Sequence, residues 1–96
     1  MKTDKTPESK RVPITDQTLA LACADVTRSL HDRIREKGPG TFASRHEIYG
    51  LLAEEMDELL LAVRSQDLSD VRLELLDIAV AAIFGAACID QKTVEW

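Results

Sequence analysis

The chain has 96 residues, enough for one domain built around one modest core. Hydrophobic residues make up 45 % of it and aromatics only 4 %, so that core must be aliphatic, which suits packed helices better than a β-sandwich. The net charge of −5 speaks against duplex nucleic acid as the main partner, because phosphate backbones need clustered Lys and Arg.

In chain order, residues 1–13 are polar, lack periodicity and end at Pro13, which predicts a flexible N-terminal tail. Residues 14–96 then read as a single all-α domain. A first helix starts at Thr15 or Asp16, with Thr15 as cap and Ile14 stapled onto Leu19. Leu19, Cys23, Val26, Leu30 and Ile34 recur at helical spacing, and Gly38-Pro39-Gly40 ends the helix. Ser44-Arg45-His46-Glu47 fits the S-x-x-E capping box and opens a second helix, with Ala43 placed to meet Ile48. That helix runs to about Arg64. The short segment Ser65-Gln66-Asp67-Leu68 predicts an antiparallel hairpin with a third helix, capped by Asp67 or Ser69 and running to about Ile89. Asp90 to Trp96 add a partial turn.

The longest apolar run, Ile78 to Ile89, is too short for a membrane span, which needs about 20 residues. No secretion signal precedes it, so the expected location is the cytoplasm. Cys23 and Cys88, each flanked by Ala, read as two buried thiols in a reducing compartment. Three helices cannot cover every side of the third one between Ile78 and Ile89. A homodimer or homotetramer, completing a four-helix-type bundle, is therefore expected.

Acid is unevenly distributed. Residues 39–96 carry only four basic side chains (Arg45, Arg64, Arg72, Lys92) against eleven acidic ones. On a helical wheel, Ile48, Leu51, Leu52, Met56, Leu59, Ala62 and Val63 make one stripe on the second helix. Glu55 falls in its middle and Glu58 at its edge. On the third helix Asp77 is the only charge between Leu75 and Ile89, and a helix apolar all round is buried on most sides, so Asp77 is expected to be buried too. Glu74 lies one turn earlier on the same face. Ala81 and Gly85 further along are small enough to leave room beside the carboxylates. Across an antiparallel hairpin Glu55, Glu58, Glu74 and Asp77 would converge. Four ionised carboxylates in one cleft repel one another, so some must protonate or a cation must neutralise them. Arg64 and Arg72, the nearby bases, are too few for four acids. Oxygen ligands without His or Cys select a hard ion, Mg²⁺ or Mn²⁺. The competing interpretation is a solvated acidic face with i,i+4 salt bridges, which suits Glu54 and Asp57.

The stretch Glu54-Glu55-Met56-Asp57-Glu58 followed by Glu74-Leu75-Leu76-Asp77 resembles the E-E-x-x-E … E-x-x-D motif of MazG-like nucleoside triphosphate pyrophosphohydrolases. Fifteen residues separate Glu58 from Glu74, and the resemblance covers about residues 44–90. It implies hydrolysis of an NTP or dNTP to the monophosphate and pyrophosphate, possible house-cleaning of nucleotide pools, and sites shared within dimers or dimers of dimers. It also implies Mg²⁺ held by Glu55, Glu58, Glu74 and Asp77, with Glu54 acting on the attacking water. Many members supply phosphate contacts from Lys and Asn of a further helix. Here only Lys92 follows the third helix, so Arg33, Arg35 and Lys37 at the end of the first are the substitutes, with Arg35 and Lys37 the candidate substrate-binding residues. The same cations also fit plain neutralisation of a helix C-terminus. The alternative function is a non-catalytic oligomeric scaffold or partner-binding protein that keeps the fold and the acid cluster.

Overall fold

The computed structural model describes residues 11–96. They form three helices, α1 (Asp16–Lys37), α2 (Arg45–Ser65) and α3 (Leu68–Asp90), with no strand among the described residues. Of the tail expected over residues 1–13, residues 1–10 lie outside the described residues, and Arg11 to Pro13 have no regular structure.

Each helix starts where its side chains can satisfy the free amides of a first turn. The Thr15 hydroxyl accepts from the amide of Thr18, and the Asp67 carboxylate from the amide of Ser69 at 2.9 Å. Such caps are worth about 1 kcal/mol each. The box at α2 is offset by one residue from the expected pattern. Ser44 Oγ accepts from the amide of His46 rather than Glu47, while Glu47 Oε1 accepts from the amide of Ala43 at 2.9 Å. Ser44 is 1 % exposed, so its hydroxyl faces inward and reaches only the nearest amide. α1 ends at Gly38, whose φ of 86° a side chain would strain and whose amide donates to the Ile34 carbonyl. α2 ends in a left-handed Gln66, φ 65°, which turns the chain directly into α3.

α3 is the central element. It packs against α2 as an antiparallel hairpin and against α1 on another side, while α1 and α2 make no extensive contact. Two ion pairs fix the direction of α1: Asp25 meets Arg72 at 2.6 Å, and Arg33 meets Asp77 at 3.5 Å. The two pairs advance together along both helices, so α1 runs parallel to α3. α3 starts only four residues before Arg72, whereas α1 starts nine residues before Asp25. The first turn of α1 therefore overhangs the start of α3. Leu19 is exposed in that overhang, and Leu21 and Cys23 are exposed because α3 alone covers α1, so Cys23 is not buried as expected. Cys88 is buried, and its Sγ accepts from the amide of Phe42 at 3.4 Å.

The fully covered apolar side chains are small: Ala62, Val80, Ala81 and Cys88. Gly85 lets α2 approach α3 closely, since a Cβ there would lie 3.2 Å from Ile48 Cγ2. The room expected beside the carboxylates at Gly85 is thus filled by Ile48. Residues 91–96 do more than add a partial turn. The amide of Glu95 donates to the Ala43 carbonyl at 2.8 Å, the amide of Arg45 to the Trp96 carbonyl at 2.7 Å, and Thr93 Oγ1 to the Phe42 carbonyl at 2.9 Å. This strap pins the chain entering α2. No helix of the described residues is long and apolar enough to cross a membrane.

Candidate metal centre

Glu55 leaves the middle of α2 on the face turned to α3 and is 7 % exposed. Glu58, one turn on, is exposed, and Glu74 of α3 is half-buried. Carboxylate oxygens of the three lie within 4.8 Å of one another. In the same two residues, Glu55 Oε2 and Glu74 Oε2 are buried without any hydrogen-bond partner. Native proteins rarely leave such atoms unsatisfied, because removing a carboxylate from water is costly without a proton or a cation to replace it.

The electrostatics follow from this geometry. Burial, then the charges of Asp77 and Glu58, raise the Glu55 carboxyl above its ordinary value, with Arg33 opposing. Burial, then the charges of Glu58 and Asp77, raise the Glu74 carboxyl as well. Both carboxyls thus give up their protons less readily than a free carboxyl does. A divalent cation would neutralise these charges while meeting both orphaned oxygens, so the residues present fit a hard ion on oxygen ligands alone.

Asp77 stands slightly apart. It is not among the three converging carboxylates and its side chain is 39 % exposed, not buried as the apolar surroundings in sequence suggested. Its Oδ1 accepts from Arg33 Nη2 at 3.5 Å, yet its charge still acts on Glu55 and Glu74. The nearest cation therefore comes from α1. Arg72, expected to be one of the nearby bases, is engaged with Asp25 instead, and Arg72 holds the Asp25 carboxyl below its usual range. The sequence did carry a signal for Arg33: Val26, Leu30, Arg33 and Lys37 share one helical stripe, so Arg33 lies on the face that α1 turns to α3.

The remaining site candidates divide. Glu54 and Asp57 are exposed on α2 and outside the converging group. Arg35 is exposed and paired with Asp32 one turn back on its own helix. Lys37 lines a cavity of about 270 Å³ together with Arg33, Leu30, Ile34, Phe42 and Phe84. A second hollow, of about 310 Å³, lies on the acid cluster itself and includes Glu58, Asp70 and Glu74. The two phenylalanine rings meet edge to face, centroids 5.4 Å apart. His46 lies beside the Trp96 ring and not at the acids, with ring centroids 5.3 Å apart.

No protein-family model, no curated protein and no solved structure matches the chain. The functional reading therefore rests on the site.

Proposed function

We propose that the chain hydrolyses nucleoside triphosphates, NTP or dNTP, to the monophosphate and pyrophosphate in a divalent-metal-dependent reaction, as a MazG-like pyrophosphohydrolase of the cytoplasm. The observation that carries this reading is the convergence of Glu55, Glu58 and Glu74 from two adjacent helices, with two buried oxygens lacking a partner. The E-E-x-x-E … E-x-x-D spacing of the same residues supports it. Glu55, Glu58 and Glu74 would hold Mg²⁺ or Mn²⁺, with Asp77 the fourth carboxylate of the set. Such an ion, when bound, neutralises charge on phosphate oxygens and lowers the pKa of water. Glu54, one residue before Glu55 and open to solvent, would orient or deprotonate the water.

The proposed assembly is a homodimer or homotetramer, since broad apolar surface on α2 and α3 is left uncovered in the single chain. The same exposed faces support the second reading, a non-catalytic scaffold that keeps the fold and the acid cluster. A panel of NTPs and dNTPs with Mg²⁺ or Mn²⁺, assayed for pyrophosphate, separates the two. Release of pyrophosphate that disappears in Asp77→Asn supports the enzyme. A protein that binds Mn²⁺ but turns over nothing in the panel establishes the scaffold.

A further inference from the structure

The cavity beside Arg33 is not accounted for by a metal centre. It lies between the C-terminal part of α1, the Gly38–Gly40 loop and α3, and its walls are apolar except at Arg33 and Lys37. Three features define what it can take. Its volume is about 270 Å³ and it is partly open to solvent, room for a ring system with the rest of a ligand outside. Phe42 and Phe84, packed edge to face on each other, both line it, so a flat apolar guest meets aromatic carbon. The only charged side chains lining it are cationic, so the atoms attached to that ring must be neutral or anionic.

Arg33 joins this cavity to the acid cluster. It lines the cavity and at the same time reaches Asp77, whose charge acts on Glu55 and Glu74. A ligand that fills the cavity with its ring must place the rest of itself outside, towards Arg33 and the carboxylates. Arg33 offsets the repulsion that an anionic remainder meets from those carboxylates, and a cation at the orphaned Glu55 and Glu74 oxygens would offset it further.

Building on the nucleotide reading above, we infer that this cavity is the second arm of the same site, taking the base of a nucleotide while Arg33 and Lys37 meet its phosphate. Arg33 is then a substrate-positioning residue that exchanges Asp77 for phosphate. Its 3.5 Å pairing with a partly exposed Asp77 is a weak attachment, easily replaced by a bidentate contact to a phosphate.

The test is run on the full chain without metal, in chelator, so that it does not depend on the metal centre. Uridine 5′-monophosphate is titrated by NMR, with uridine and inorganic phosphate as separate arms. The expected result is saturable shifts at Phe42, Phe84, Leu51 and Val80 with the monophosphate, at least several-fold weaker binding of uridine, and no shift of these four with phosphate alone. Ala81→Leu, which fills the cavity, should weaken the monophosphate tenfold or more while leaving Mn²⁺ affinity unchanged. Lys37→Gln, on the exposed rim, should weaken it several-fold with the fold intact, and Arg28→Gln should do nothing. Shifts that miss the cavity, or wild-type affinity in both Ala81→Leu and Lys37→Gln, would overturn the inference. Loss of the metal reading shows up separately, as absence of Mn²⁺ binding in a protein that still takes the monophosphate into the cavity.

Discussion

At the scale of single residues, the acid cluster is a balance between three carboxylates that repel and one guanidinium that partly compensates. Glu55→Gln removes the most buried of the repelling charges while nearly preserving shape. The metal-free variant should melt higher than wild type, by about 1 kcal/mol of stability, while its Mn²⁺ affinity falls tenfold or more. Thermal melts in chelator and isothermal titration with Mn²⁺ check the two halves. A structural salt-bridge role for Glu55 predicts the reverse, a loss of stability on removing one partner. The pH dependence has a definite sign. Glu55 and Glu74 are raised above the ordinary 4.5, so above that pH the folded chain binds more protons than the unfolded chain, and stability falls as pH rises through the raised values. Asp25 and Asp67 are lowered below 3.8 and lose their contribution only as pH falls beneath that value. The metal-free protein should therefore be most stable in mild acid and soften towards neutral pH. Saturating Mn²⁺ should abolish the decline. Glu55 was legible from sequence because a carboxylate in an apolar stripe needs a reason. The Arg33–Asp77 pair was not, since nothing in local spacing tells which side of α3 the first helix will cover.

At the scale of elements, helix starts were readable because Thr15, Ser44 and Asp67 each stand immediately before a periodic apolar run. The shifted capping box shows the limit of that kind of reading. Ser44 is drawn inward by the strap of residues 93–96, and a pairing between segments some fifty residues apart leaves no trace in local periodicity. Gly85 gives a direct test of the α2–α3 approach. Gly85→Val places two more methyl groups where even a Cβ would stand 3.2 Å from Ile48, and overpacking of this sort costs about 1–3 kcal/mol. Chemical denaturation should show that loss, and Ile48→Ala in the same chain should recover part of it. Independent sites would instead give additive losses.

At the scale of the whole molecule, the described chain is long and thin, 46 × 27 × 23 Å with a radius of gyration of 15.8 Å. A compact domain of this size has a radius near 12 Å. The difference reflects the overhang of α1 and the apolar faces that no part of the chain covers. Tyr49, Met56, Leu60 and Val63 form an exposed stripe on α2, and Leu75, Ile83 and Ile89 are exposed on α3. The apolar character of α3 on all sides was plain in the sequence, whereas which face would remain open depended on where α1 docked. Light scattering at micromolar concentration should give a mass at least twice 10.7 kDa. Ile83→Asp should shift it towards one chain or reduce solubility, and a monomeric wild-type protein would refute the assembly.

The parallel docking of α1 on α3 has a kinetic consequence. All three converging carboxylates belong to a hairpin whose two helices are neighbours in sequence, while the guanidinium that tempers them arrives from a helix 44 residues away in the pair it makes. Local contacts form early and distant ones late, so the hairpin can assemble its mutually repelling acids before α1 arrives. α1 has no fully buried residue and is tied to α3 by two partly solvated ion pairs, which makes it the first element to detach under native conditions. Hydrogen exchange should find amides of α1 opening together, at lower free energy than those in the middle of α2 and α3. Mn²⁺ should slow exchange within the hairpin while leaving α1 as fast as before or faster, because the ion takes over the neutralisation that Arg33 supplies in its absence.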